Sequence, residues 1–156
     1  MPLNREFIGR SWRAAEIYEV SREKLRDFAV AIGETHPVYL DEEAAVKQGH
    51  RTVIAPPTFA TTLWFRMGNW PMLVPEFGKQ KDPVCVLGDQ RVTHHRRIHA
   101  GDRLWFTTTV RDIRDIGRHE LFEMEHQVTS EDGESVCTVV DQMISRNSAA
   151  PKEQRS

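Results

Sequence analysis

The chain has 156 residues, 39% of them hydrophobic and 28% charged, and a formal net charge of −2. That length suits one ordinary domain with a proper core, and the near-neutral charge argues against a general nucleic-acid coat, which needs a positive excess. Two cysteines, Cys85 and Cys137, are too few for a disulfide scaffold and make a reducing cytoplasmic setting the default expectation.

The first twenty residues carry Arg5, Glu6, Arg10, Arg13, Glu16 and Glu19, with no continuous apolar stretch of the signal-peptide kind. Nowhere do about 18 apolar residues follow one another, so no membrane span is expected. Residues 15–20 read as a short strand. Ser21 then offers an N-cap, and Leu25, Phe28, Ala29 and Ile32 fall on one helix face, with Gly33 as the stop and Pro37 barring direct resumption. Asp41 caps a second short helix through Ala44, Ala45 and Val46 that ends near Gly49. A third helix is predicted over 57–67, because proline suits the first helical turn. The segment 58–67 is apolar on nearly all sides, as in a buried helix. Gly68 and Asn69 end it, and residues 70–83, with three prolines, read as a long loop.

From Val84 the apolar period changes to two. Strands are predicted over 84–96, 103–113, 119–129 and 135–145, with turns at 100–102, 116–118 and 131–134. Short connections predict an antiparallel meander. Helices first and strands afterwards give an α+β class, one domain over 1–146 and a polar, disordered tail over 147–156.

The loop from Gly33 to Ala44 concentrates chemistry. Glu34, Thr35, His36, Tyr39, Asp41 and Glu42 crowd around Pro37 between two helices. The bland reading is a helix connector with caps, since Pro and Asp often only punctuate. The functional reading is a polar loop lining a cleft beside the buried helix.

The segment resembles the hydratase motif of the MaoC-like, hot-dog-fold (R)-specific enoyl hydratases and 3-hydroxyacyl dehydratases, whose loop reads Gly-Asp-x-Asn-Pro-x-His-x-Asp. Gly33, Pro37, Asp41 and Ala44 match, and Ala100-Gly101-Asp102-Arg103-Leu104 resembles that family's Ala-Gly-Asp-x-Leu turn. The likeness covers roughly 5–146 and implies a long antiparallel sheet wrapped around the helix over 57–67. The departures are as informative. The family's catalytic aspartate falls on Glu34, its catalytic histidine on Tyr39 and its asparagine on His36. Glutamate is one methylene longer, and a misplacement of about 1 Å costs on the order of 10²-fold in rate. A phenol with pKa near 10 is a poor base beside an imidazole near 6.5. Catalytic relatives begin the central helix with Ala-His-Gly, whose glycine N–H holds the thioester carbonyl. Here the stretch is Ala55-Pro56-Pro57, and Pro57 has no N–H to give. Losing one such donor costs about 10²–10³ in rate.

Three coincident changes resemble the non-catalytic subunits of the split, heterodimeric (3R)-hydroxyacyl-carrier-protein dehydratases, whose Ala-Pro-x-Thr-Phe stretch Ala55-Pro56-Pro57-Thr58-Phe59 fits. The resemblance implies a chain that supplies scaffold and acyl pocket while a partner supplies the Asp/His pair, acting on an acyl-CoA or acyl-carrier-protein thioester without a cofactor. Pro57, Thr58, Phe59, Leu63, Trp64 and Met67 are then candidate pocket walls, against the alternative that the large apolar ones are simply core. Two other functions stay open: a self-sufficient homodimeric hydratase using Glu34 with Tyr39 or His36, and a binding module for acyl thioesters without chemistry.

The run Thr93-His94-His95-Arg96-Arg97-Ile98-His99 admits further readings. His95 and His99 share a strand face but lie roughly 13 Å apart by strand rise, too far to hold one metal ion. No aromatic platform accompanies the basic groups, which argues against nucleic acid. Arg96 and Arg97 fit a phosphate or an acidic carrier protein through their donor forks. Cys85 and Cys137 read as inert buried thiols, and His119 and His126 as exposed strand positions without a role.

Overall fold

A computed structural model describes residues 2–63, 71–78, 84–146 and 148–149. The elements follow the predicted order, with a 3₁₀ turn at Arg5–Phe7 before them. Of the expected strand over 15–20 only β2 (Tyr18–Glu19) forms, and β1 (Ser11–Arg13) is a further short strand that the sequence reading did not expect. Helix α1 (Arg22–Ala31) starts at Ser21, whose side chain accepts from the Lys24 N–H, and buries Leu25 and Ala29. A 3₁₀ turn at Pro37–Tyr39 and helix α2 (Glu42–Lys47) follow, the latter burying Ala45.

The central segment differs from its prediction. Pro57–Thr62 is a 3₁₀ helix that turns α-helical at Leu63, and the remainder of the predicted 57–67 helix lies outside the described residues. Two side-chain bonds accompany the tighter winding. Thr61 and Thr62 each donate a hydroxyl hydrogen bond, both 2.8 Å, to the carbonyl three residues back, on Thr58 and Phe59. Hydroxyls bonded back this way compete with the α-helical ladder and favour the three-residue turn. Phe59, Ala60 and Leu63 are buried, whereas Pro57 and Thr58 are exposed, so the described part has one buried face rather than an apolar circumference.

The long strands are β3 (Cys85–His94), β4 (Arg103–Ile116), β5 (His119–Ser130) and β6 (Ser135–Ser145). They form one antiparallel sheet in the order β1-β4-β5-β6-β3, with β2 pairing β4 beside β1. Strands β4 to β6 are the predicted meander, but β3 crosses to the far edge and pairs with β6 instead of β4. The β3–β4 connection is no hairpin, because Ile98 and His99 leave the sheet. The Ile98 carbonyl accepts from the Ala55 N–H at 2.8 Å, and His99 bridges Ile54.

Alternation along β4 to β6 separates two faces. The inner face carries two apolar clusters. Phe59 and Leu63 pack with Leu104, Phe106, Val128 and Val139, so the central segment sits in the concave side of the sheet. Phe7 and Phe77 pack with Val110, Phe122, Met124 and Met143. The N-terminal strap is latched by the buried Glu120, whose carboxylate accepts from the Leu3 N–H at 2.9 Å and from Arg5 at 3.1 Å. Of the tail expected to be disordered, Ser148 is buried and donates to the Ser145 carbonyl at 3.1 Å; apart from Ser148 and Ala149, residues 147–156 lie outside the described residues.

Truncation of the ring that seats the central segment tests this packing. Phe59→Ala is expected to cost about 3–5 kcal/mol of unfolding free energy, read from urea denaturation; a loss near zero would mean that Phe59 does not anchor the concave face.

Candidate functional site

Helix α1 ends by a glycine cap. Gly33 takes φ +73°, its N–H reaches the Val30 carbonyl at 3.0 Å, and the Glu34 N–H reaches Ala29 at 2.8 Å. This pair of bonds satisfies the last carbonyls of the helix and turns the chain sharply. The turn throws the Glu34 side chain back over its own backbone, where Oε1 accepts from the Thr35 and His36 N–H groups, both at 2.9 Å. His36 caps the Pro37–Tyr39 turn, its Nδ1 accepting from the Val38 N–H at 3.2 Å. That bond takes up Nδ1 and leaves Nε2 of the exposed ring facing outward. Its ring meets Tyr39 edge-on at 5.9 Å, and Tyr39 is half-buried against the core. Asp41 is a helix cap, accepting from the Ala44 N–H at 2.7 Å.

The loop and the start of the central segment are brought together through backbone. The Val38 carbonyl accepts from the Ile54 N–H at 3.4 Å, and residues 53–55 are then clamped on their other side by Ile98 and Ala100. Pro57 follows immediately, so the three positions that depart from the family motif, Glu34, Tyr39 and Pro57, belong to one backbone-bonded unit.

A second polar centre lies behind it. The Asp102 carboxylate is buried and accepts from Arg51, from Arg96 Nη1 at 2.7 Å and from the His99 N–H at 2.9 Å. Arg96 also bonds Glu134 at 2.8 Å. A cavity of about 570 Å³ opens here, with Arg51, Arg96, His99, Asp102 and Arg103 in its wall. Burial, followed by the charge of Arg51, holds the His99 imidazole below its ordinary pKa.

The sequence-predicted residues sort as follows. Glu34, His36 and Tyr39 share the loop but line neither this cavity nor the one of about 340 Å³ beside Phe7 and Trp12. Phe59 and Leu63 are core, Pro57 and Thr58 are exposed at the helix start, and Trp64 and Met67 lie outside the described residues. Arg96 has its fork taken up by acids, while Arg97 is exposed. Burial pushes the Cys137 thiol up to about 12, in keeping with an inert thiol. His126, expected to be exposed, is buried instead and lies 3.3 Å from Asp141. Its parity with Phe122, Met124 and Val128 on β5 is the sequence signal that points it inward.

A helix seated in a curled antiparallel sheet, with this loop at its mouth, defines a hot-dog protein of the MaoC-like hydratase and dehydratase class. The model of the FAS1-like dehydratase domain region matches residues 6–139, and the chain belongs to that family. Curated relatives include a UPF0336 protein of Streptomyces griseus, 38% identical over 146 residues (94% of this chain, 97% of the relative). Another is a UPF0336 protein of Parafrankia sp., 40% identical over 152 residues (97% and 100%). Among solved structures, the truncated HadBC (3R-hydroxyacyl-ACP dehydratase) complex of Mycobacterium tuberculosis aligns with TM-score 0.76 and 28% identity, covering 88% of this chain and 96% of that one. A MaoC-like dehydratase aligns with TM-score 0.81 and 27% identity over 90% of this chain and 42% of its own.

The lowered His99 pKa gives a pH dependence with a definite sign. The folded chain binds protons at His99 less readily than the unfolded one. Stability from this group is complete above the unfolded value near 6.5 and falls as pH drops below it. Melting temperature is expected to decline from pH 8 to pH 5.5, and the decline to be shallower in His99→Gln; equal slopes would remove His99 as its source.

Proposed function

We propose that this chain is the non-catalytic subunit of an (R)-3-hydroxyacyl-thioester dehydratase or enoyl-thioester hydratase, paired with a hot-dog chain that supplies the Asp/His acid–base pair. The observation that carries the reading is the state of the loop: Oε1 of Glu34 is bonded to two backbone N–H groups, and Nδ1 of His36 to a third. Pro57, at the start of the central segment, removes the carbonyl-binding N–H as well. The loop keeps its shape by hydrogen bonds that its polar groups make with the loop itself.

Pairing is supported by the edge at β3. That strand has ten residues, none fully buried; Val86 and Leu87 near its start are 43% and 50% exposed, and Val84 just before it is 48% exposed. Its outer side has no partner strand among the described residues. An apolar open edge is a liability that proteins cover. The HadBC alignment comes from a two-chain complex, and the MaoC-like dehydratase has more than twice the length this chain matches. Both support a second hot-dog domain as the cover.

In this reading residues 1–146 form one domain, and Pro57, Thr58, Phe59, Leu63, Trp64 and Met67 form the wall that meets the acyl thioester. Arg97 is the free guanidinium for a CoA phosphate or an acidic carrier protein, while Arg96 orders the loop through Asp102. No cofactor is invoked. Two free thiols suit a reducing cytoplasm, and no helix among the described residues is long and apolar enough to cross a membrane.

The test is to assay hydration of crotonyl-CoA by the chain alone and after co-expression with a hot-dog chain that has an intact Gly-Asp-x-Asn-Pro-x-His loop. The expected result is turnover by the pair only, with Glu34→Gln changing its rate by less than about twofold, far below the 10²–10⁴ of a lost acid–base group. Turnover by the lone chain that Glu34→Gln abolishes would establish the homodimeric hydratase instead. In a second measurement, Val86→Lys with Leu87→Lys is expected to prevent co-purification of the pair while leaving the melting temperature within a few degrees, since exposed substitutions change stability by about ±0.5 kcal/mol. Intact pairing would place the interface elsewhere.

A further inference from the structure

Between the two apolar clusters a row of polar side chains crosses the inner face of the sheet. Thr108 on β4 bonds His126 Nδ1 on β5 at 2.8 Å, His126 Nε2 stands 3.3 Å from Asp141 on β6, and Asp141 Oδ1 accepts from Gln90 on β3 at 2.7 Å. Thr108, His126 and Asp141 are 2%, 1% and 0% exposed. Thr108 faces His126, and Gln90 faces Asp141, as direct cross-strand partners. The row therefore visits all four long strands, with a hydrogen bond at each end and a 3.3 Å contact between the His126 ring and the Asp141 carboxylate at its centre.

Such a row contributes little net stability. Buried ion pairs and polar networks lose in desolvation much of what they gain in attraction, and apolar replacement of a whole network is often neutral or stabilising. What directional hydrogen bonds to buried groups do supply is a single geometry.

Strand β3 is where a single geometry is otherwise lacking. Register is fixed by burial of one face of a strand, and it is weakly fixed where neither face is buried. β4, β5 and β6 bury alternate residues, whereas β3 has only Cys85, Gln90 and Val92 half-buried. A bulge between Leu87 and Asp89 separates Cys85 from the rest of the strand. Beyond it, Val92 and Gln90 remain, and only Gln90 makes a directional bond to a fully buried group.

We propose that Gln90, Asp141, His126 and Thr108 are positioning residues that set the register of β3 against β6, with Asp141 as the fixed acceptor that Gln90 must find. The register claim stands on this geometry alone, and its bearing on the docking edge rests on the pairing described above. A two-residue slip of β3 keeps its faces but moves Gln90 away from Asp141 and shifts Val86 and Leu87 along the edge.

Engineered disulfides read the register directly, in the full chain with Cys85→Ser. Arg91 and Val140 are direct partners in the native register, and a two-residue slip brings Arg91 opposite Thr138 or Gln142. With the row intact, Arg91→Cys is expected to cross-link with Val140→Cys and not with Thr138→Cys or Gln142→Cys. Gln90→Met, a near-isosteric change at a half-buried site that leaves the buried trio whole, is expected to raise the slipped cross-links by about tenfold, the upper end of one hydrogen bond's net bias. Gln90→Glu combined with Asp141→Asn reverses donor and acceptor and should restore the native cross-link alone. Thr108→Val, His126→Leu and Asp141→Leu together are expected to hold or raise the melting temperature while the slipped products appear. Unchanged cross-linking in Gln90→Met, or slipped products that the reversed pair does not suppress, would overturn the proposal. If the native chain recruits no partner while the register results hold, the pairing reading fails and the positioning role survives.

Discussion

One buried carboxylate organises the end of the molecule where the loop and the central segment meet. Asp102 sits inside the fold and is acceptable there because two guanidinium groups and a backbone N–H converge on it. Its donors come from the stretch after α2 and from the stretch between β3 and β4, so it fastens the helical layer to the sheet at the point where residues 53–55 deliver Pro56 and Pro57. The same carboxylate holds the His99 N–H where the chain leaves β3, beside the Ile98 carbonyl that accepts from Ala55. The carbonyl of Asp102 also accepts from the Val20 N–H, at 2.8 Å, tying in the approach to α1.

What could be seen in the sequence was whatever obeys local rules. Ser21, Gly33 and Asp41 cap helices because short polar side chains and an unsubstituted backbone solve the ends of helices in one way only. The alternation of β4 to β6 is a simple period, and β6 falls on its predicted limits. The destination of β3 was hidden, because strand order is settled by contacts between Ile98 and Ala55 that no local pattern encodes. The 3₁₀ winding of Pro57–Thr62 was hidden by its composition, which reads as a buried α-helix. Glu120, His126 and Asp141 were passed over for a different reason. Charged and imidazole side chains count as surface residues by default, and only their parity with Phe122, Met124 and Met143 marks them as interior.

At the candidate site the sequence showed which groups had changed but not how the replacements are employed. A glutamate in place of an aspartate reads as a conserved charge. The carboxylate curls back onto the N–H groups of residues 35 and 36. His36 likewise accepts from the Val38 N–H, so two of the loop's polar side chains bond the loop's own backbone.

The bare side of β3 also bears on the supply of the chain in a cell. Unpaired N–H and C=O groups flanked by Val86 and Leu87 attract extended segments of other polypeptides without regard to their identity. In the pairing proposed above, a copy made in excess of its cover is a substrate for chaperones, proteases and aggregation, and its lifetime is set by stoichiometry as well as by folding free energy. Matched synthesis of chain and cover is then the economical arrangement.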